Sequence, residues 1–200
     1  MRKGGAAALA EATRFFMKDD RVHRTLYSVT AKLNGLRIPY AIAGGMALVA
    51  HGYDRTTEDV DILVSATALA AVHKELEGLG YVAPFQGSKN LRDTSTGVRI
   101  EFLVSGQFPG DGKPKPVAFP DPQTAGENID GISYLNLPAL LELKLASGMS
   151  AAHRLKDIAD VQELIRVLKL PRDFVDRLNP YVRDKFIELW TAVAQSPPDE

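Results

Sequence analysis

Residues 40–64, YAIAGGMALVAHGYDRTTEDVDILV, constrain this chain more than any other stretch. An apolar run of strand type, Tyr40-Ala41-Ile42-Ala43, is broken by Gly44-Gly45. A helix-favouring segment, Met46-Ala47-Leu48-Val49-Ala50, closes at Gly52. The polar residues Arg55-Thr56-Thr57-Glu58 then lead into a second strand, Asp59-Val60-Asp61-Ile62-Leu63-Val64. The unit reads strand, glycine turn, helix, polar loop, strand.

Two physical consequences follow. Glycines between a strand and a helix let backbone approach a ligand closely, because no Cβ intervenes, and the first amides of a helix are unpaired and favour an anion such as phosphate. Side chains alternate faces along a strand, so Asp59 and Asp61 project from one face, roughly 6–7 Å apart at Cα. That separation suits carboxylates that together hold one or two divalent cations. A phosphate cradle beside a metal-binding acid pair is the equipment for nucleotidyl transfer.

Gly44-Gly45 followed by Arg55-x-Thr57-x-Asp59-x-Asp61 resembles the signature of the DNA polymerase beta-like nucleotidyltransferase superfamily. The helical Met46-Ala47-Leu48 and the Arg-x-Thr-x-Asp-x-Asp form are most similar to the abortive-infection (AbiEii-type) members. The combined spacing is much more specific than an isolated Gly-Gly. One departure stands out: many superfamily members carry Gly-Ser where this chain has Gly44-Gly45, so no hydroxyl is available there. The resemblance implies an α/β nucleotidyltransferase fold, a small mixed sheet flanked by helices with an α-helical C-terminal part. It also implies a Mg2+ (or Mn2+) cofactor on Asp59 and Asp61, an NTP substrate contacted by Gly44, Gly45, Arg55 and Thr57, and an acceptor of unknown identity. RNA 3′ ends, protein hydroxyls and small molecules all occur as acceptors. A toxin role with a cognate antitoxin is a further implication.

The rest of the chain supplies three more candidates. Val98-Arg99-Ile100-Glu101-Phe102-Leu103-Val104 reads as a strand with Glu101 as its carboxylate. Superfamily members commonly place a third acid on a neighbouring strand, and Glu101 matches that order. The alternative is a glutamate paired with Arg99 on a half-exposed sheet face. Lys144 lies inside an apolar helix over 138–147; a helix apolar on most sides is buried, and a buried ammonium needs an anionic partner. Relatives carry a lysine here, suited to triphosphate contact; the alternative is a stem that snorkels to solvent. In the next helix, Leu155, Ile158, Val161, Leu164, Ile165 and Leu168 cover one arc at 100° per residue, with Asp157 inside it and Asp160 outside. The string Arg154-x-Lys156-Asp157-Ile158-x-Asp160 is similar to the element that follows the lysine in AbiEii-type relatives. Ser150 is the expected cap of this helix, which would place Asp157 in its second turn.

Composition narrows the alternatives. The 200 residues form either one domain or a small catalytic domain with a helical appendage. We expect a catalytic core over 1–137 and a helical part over 138–200. Lys plus Arg number 24 against 25 Asp plus Glu, so any nucleic-acid contact must come from a local basic patch. The absence of cysteine excludes disulfides, thiolate zinc sites and cysteine nucleophiles. No apolar run approaches a membrane span, and Glu11 and Arg14 cut short the apolar start, so a cytoplasmic protein is expected.

Helices are expected over 6–18, 21–35 and 66–80, the last with Leu69, Val72, Leu76 and Leu79 on its core side. A hairpin is expected around Leu91-Arg92-Asp93. Residues 106–123 carry five prolines and three glycines and are expected to form a long loop, either functional, as a lid or substrate-binding loop, or a solvated connection. The tail should pack through Phe186, Ile187, Leu189 and Trp190 and fray after Ser196. Two other functions use the same carboxylates differently: a metal-dependent phosphodiesterase or nuclease, and a silent nucleotide-binding module.

Overall fold

The computed structural model describes residues 21–196; the helix expected over 6–18 and the fraying expected after Ser196 lie outside them. The chain runs α1 (Arg21–Gly35), β1 (Ala41–Ile42), α2 (Gly44–Ala50), β2 (Asp59–Val64), α3 (Ala66–Leu76), β3 (Tyr81–Val82), β4 (Leu91–Asp93) and β5 (Arg99–Val104). It continues with α4 (Pro122–Ala125), β6 (Gly126–Ile129), β7 (Ile132–Leu135), α5 (Leu137–Ser150), α6 (Leu155–Val167) and α7 (Pro180–Gln195). The strands form one mixed sheet in the order β3-β4-β5-β2-β1-β7-β6. This is the mixed α/β architecture expected.

The central pair decides the chemistry. β2 and β5 run parallel with Asp59 opposite Arg99 and Asp61 opposite Glu101. Odd-numbered residues of both strands therefore share one face and even-numbered residues the other. The even face is the main core: Val60, Ile62, Ile100 and Phe102 are fully buried. α1 and α3 cover it, with Thr25 reaching Asp93, Ser28 reaching Tyr81 and the His73 ring beside Phe102. α5 lies across a cleft from the odd face, and its Leu140, Leu141 and Leu145 join the same continuous core.

Local chemistry sets the helix starts. Asn136 accepts from the Ala139 amide with Pro138 in the first turn of α5, and Asn179 caps α7 ahead of Pro180. Ser65 does the same for α3.

Three expectations need correction. α3 stops at Leu76 and not at residue 80, so Leu79 is 66 % exposed and is no core residue. Gly78 and Gly80 both take positive φ there, which ends the helix early. Ser150 does not cap α6: it is the last residue of α5, and its hydroxyl donates back to the Ala146 carbonyl. A single 3-10 turn (Ala152–Arg154) follows, α6 begins at Leu155, and Asp157 falls in its first turn. Leu155 itself is 70 % exposed and leaves the apolar arc. Among the described residues, no helix is long and apolar enough to cross a membrane.

Candidate active site

One cleft of about 640 Å3 lies between the odd face of the sheet and α5. All nine residues singled out from the sequence line it: Gly44, Gly45, Arg55, Thr57, Asp59, Asp61, Glu101, Lys144 and Asp157.

Its floor is acidic. Asp59 and Asp61 alternate with core residues on β2, and the parallel register sets Glu101 beside Asp61. Each of the three offers a carboxylate oxygen, and these oxygens lie within 4.8 Å of one another. Burial, then the charges of Asp59 and Glu101, push the Asp61 carboxyl up to about 7, against an opposing pull from Lys144 and Arg154. Thr57 Oγ1 donates to the backbone oxygen and to Oδ1 of Asp59, both at 3.3 Å, tying the entry loop to the first acid. Glu101 Oε2 accepts from Arg99 at 2.6 Å while the carboxylate stays within the acid cluster, so the pairing with Arg99 does not take it away from Asp59 and Asp61.

The glycines have a packing reason. Gly44 sits at φ +56°, and a Cβ there would lie 1.7 Å from Asp61 Oδ2. A Cβ on Gly45 would lie 2.6 Å from Thr57 Oγ1. Both contacts are closer than real Cβ atoms approach anything, so the turn is glycine because the acid and the threonine occupy that space.

Opposite the acids is a cationic group held by its own counter-ions. Lys144 is 8 % exposed; its ammonium donates to Asp157 Oδ1 at 3.0 Å and to Asp160 Oδ2 at 2.7 Å. The lysine therefore does not snorkel to solvent. Asp157 Oδ2 also accepts from Ser147 at 2.7 Å and lies 3.3 Å from Arg154 Nε. Burial works to raise the Asp157 pKa, but Lys144, Ser147 and Arg154 outweigh it and hold the carboxyl below its usual value. Arg55, from the loop between α2 and β2, forms an ion pair with Asp160.

Asp160 is where the sequence reading went wrong. It was set outside the buried arc of α6, yet it is 3 % exposed, more buried than Asp157. At 100° per residue Asp160 lies about 40° beyond Leu164, outside the apolar arc with or without Leu155; its ion pairs with Lys144 and Arg55, not the period of α6, account for its burial. Arg154 belongs to the string that carries the AbiEii-type resemblance but has no role assigned from the sequence, and Ser147 is not singled out there; a serine one turn after a buried lysine is the available signal. The loop expected over 106–123 ends at Asp121, which caps α4; it contributes Pro109 and Phe119 to the cleft, beside Leu103 of β5. It is a wall of the cleft, internally tied by Lys115, which donates to the Pro109 and Lys113 carbonyls and to Asp111.

Solved structures resemble the chain at low identity. ANT(2")-Ia in complex with adenylyl-2"-tobramycin is 12 % identical over 86 % of this chain and 95 % of that one, with a TM-score of 0.45. An antigenic nucleotidyltransferase-like protein from Paracoccidioides brasiliensis is 20 % identical over 86 % of each chain, with a TM-score of 0.47. JHP933 from Helicobacter pylori is 14 % identical over 86 % of this chain and 88 % of that one, with a TM-score of 0.40. No protein-family model matches the chain, and no curated protein matches its sequence.

Proposed function

We propose that this chain is a nucleotidyltransferase that moves an NMP from an NTP to an acceptor hydroxyl and releases pyrophosphate. One observation carries the reading: three carboxylates converge on one side of a cleft whose other side holds Lys144, Arg55 and Arg154. Acids alone would suit hydrolysis equally well. A buried lysine and two arginines facing them suit a polyphosphate that is both substrate and leaving group.

The acid cluster fits a hard divalent cation such as Mg2+ or Mn2+. Its donors are all carboxylate oxygens, and burial together with the charges of Asp59 and Glu101 raises the Asp61 carboxyl to about 7, a cost that a bound cation would relieve. Such an ion on Asp59 and Asp61 supplies charge stabilisation at the phosphate undergoing attack. The chain's own residues do the rest. Glu101, next to Asp61, is placed to hold the ion or to accept the proton of the attacking hydroxyl. Lys144 and Arg55 bind the β and γ phosphates, with the first amides of α2, at Gly44 and Gly45, completing the cradle. Thr57 fixes the Asp59 carboxylate.

Incubation with α-labelled NTPs, Mg2+ and cell extract tests this directly. Transfer of label to an acceptor, lost in Asp59→Asn and in Asp61→Asn, is the expected result, and the labelled species gives the acceptor class as RNA, protein or small molecule. Nucleic-acid breakdown without NTP would mark a phosphodiesterase. No reaction from the folded protein with all four NTPs would mark a silent binding module.

A further inference from the structure

Asp160 is buried behind the cleft and does not line it, whereas Arg55 and Lys144 do. Both cations contact the same oxygen of Asp160, Oδ2, one through Nη1 and the other through Nζ. The three residues come from separate parts of the fold: the loop before β2, the middle of α5 and the second turn of α6. Asp157 cannot substitute, because its two oxygens are already engaged by Lys144 and by Ser147 and Arg154.

Donor accounting shows what this leaves. An ammonium has three N–H donors, and Lys144 uses two on Asp157 and Asp160, so one remains. A guanidinium has five, and Arg55 reaches Asp160 through a single nitrogen. Each cation is therefore fixed on its buried side and keeps donors for the cleft. Two like charges would not stay this close without the carboxylate between them.

We propose that Asp160 is a positioning residue that presents Arg55 and Lys144 as one fixed pair for the polyphosphate of the substrate. Through Arg55 it also anchors the loop carrying Thr57 to the C-terminal helices. The proposal rests on the nucleotidyltransferase reading of the cleft. It differs from a plain counter-ion role in a measurable way. Removing a negative charge next to an anion site should tighten anion binding if charge balance is all that matters. Removing a positioning group should weaken it.

Titration calorimetry with inorganic tripolyphosphate in Mg2+ buffer, well below each protein's melting temperature, separates the two. Asp160→Asn keeps the shape and removes the charge; its affinity is expected to fall about tenfold or more, the scale on which outer partners of a binding group act. Asp160→Glu keeps the charge but moves the carboxylate by one methylene, and it is expected to remain below wild type. If both fail to fold, Arg55→Lys serves instead: it keeps the charge but replaces the planar five-donor fork that reaches Asp160 by a compact three-donor head of different reach, so it should also lose affinity. Unchanged or tighter binding in Asp160→Asn, full recovery in Asp160→Glu, or wild-type affinity in Arg55→Lys would overturn the positioning role alone. Failure of the wild-type protein to bind tripolyphosphate would instead overturn the nucleotide reading, and the proposal with it.

Discussion

Asp61→Asn should stabilise this protein in the absence of metal while destroying its activity. The Asp61 carboxyl is raised from 3.8 to about 7 in the folded chain. A shift of about 3 units at 1.36 kcal/mol each means that holding Asp61 ionised costs folding about 4 kcal/mol. The folded value lies above the unfolded one, so stability is unaffected below the unfolded pKa and is lost as pH rises from about 4 to about 7. Above that range the loss is constant. Asparagine keeps the shape that fits against Gly44 and removes the charge, but its amide retains a desolvation cost of its own. The net gain is therefore roughly 2–4 kcal/mol at pH 8, with less than half of it remaining at pH 5. With a urea m-value of about 2 kcal/mol/M, the midpoint should rise by about 1–2 M at pH 8. The assay is urea unfolding of both proteins at pH 5 and pH 8, in EDTA and in 10 mM Mg2+. Mg2+ should raise the wild-type midpoint and leave that of Asp61→Asn nearly unmoved. An equal gain at both pH values, or none at pH 8, would refute the electrostatic account of the cluster.

Two other substitutions test neighbouring parts of the site. Glu101→Gln should lower kcat strongly with little change in NTP affinity, because a proton-accepting or ion-holding role acts mainly in the transition state; a wild-type rate would reduce Glu101 to the partner of Arg99. Lys144→Met keeps the stem and deletes the charge, and by isothermal titration it should weaken binding of a non-hydrolysable NTP by roughly 2–5 kcal/mol. Its melting curve should shift less than the loss of an isolated buried pair implies, because Asp160 keeps Arg55 and Asp157 keeps Ser147 and Arg154.

The legible parts of the fold were those where period and chemistry agree. β2 and β5 announce themselves by alternation, and the buried face of α1 follows its apolar stripe. The acid pair was readable because strand geometry alone puts Asp59 and Asp61 on one face. The pairing of Asp61 with Glu101 was not readable, since strand register depends on partners 40 residues apart. Asp157 was found by its place among apolar residues. Asp160 lies outside the apolar arc of α6 and is buried through Lys144 and Arg55, partners that periodicity does not show. A buried charge network is written in tertiary contacts, and Arg55 meets Asp160 across 105 positions of chain.

The contact between Gly44 and Asp61 ties two positions together as alternatives for mutation. Any side chain at position 44 collides with the second acid, and positive φ there disfavours L-residues independently. The glycine is therefore required for as long as the carboxylate is present. A lineage that loses the aspartate releases half of the constraint on the glycine, since only the backbone conformation still asks for it. A lineage that keeps its chemistry can change neither residue first. Among related chains, a residue other than glycine at this turn thus becomes a mark of a site that has already lost its second acid, legible without an assay.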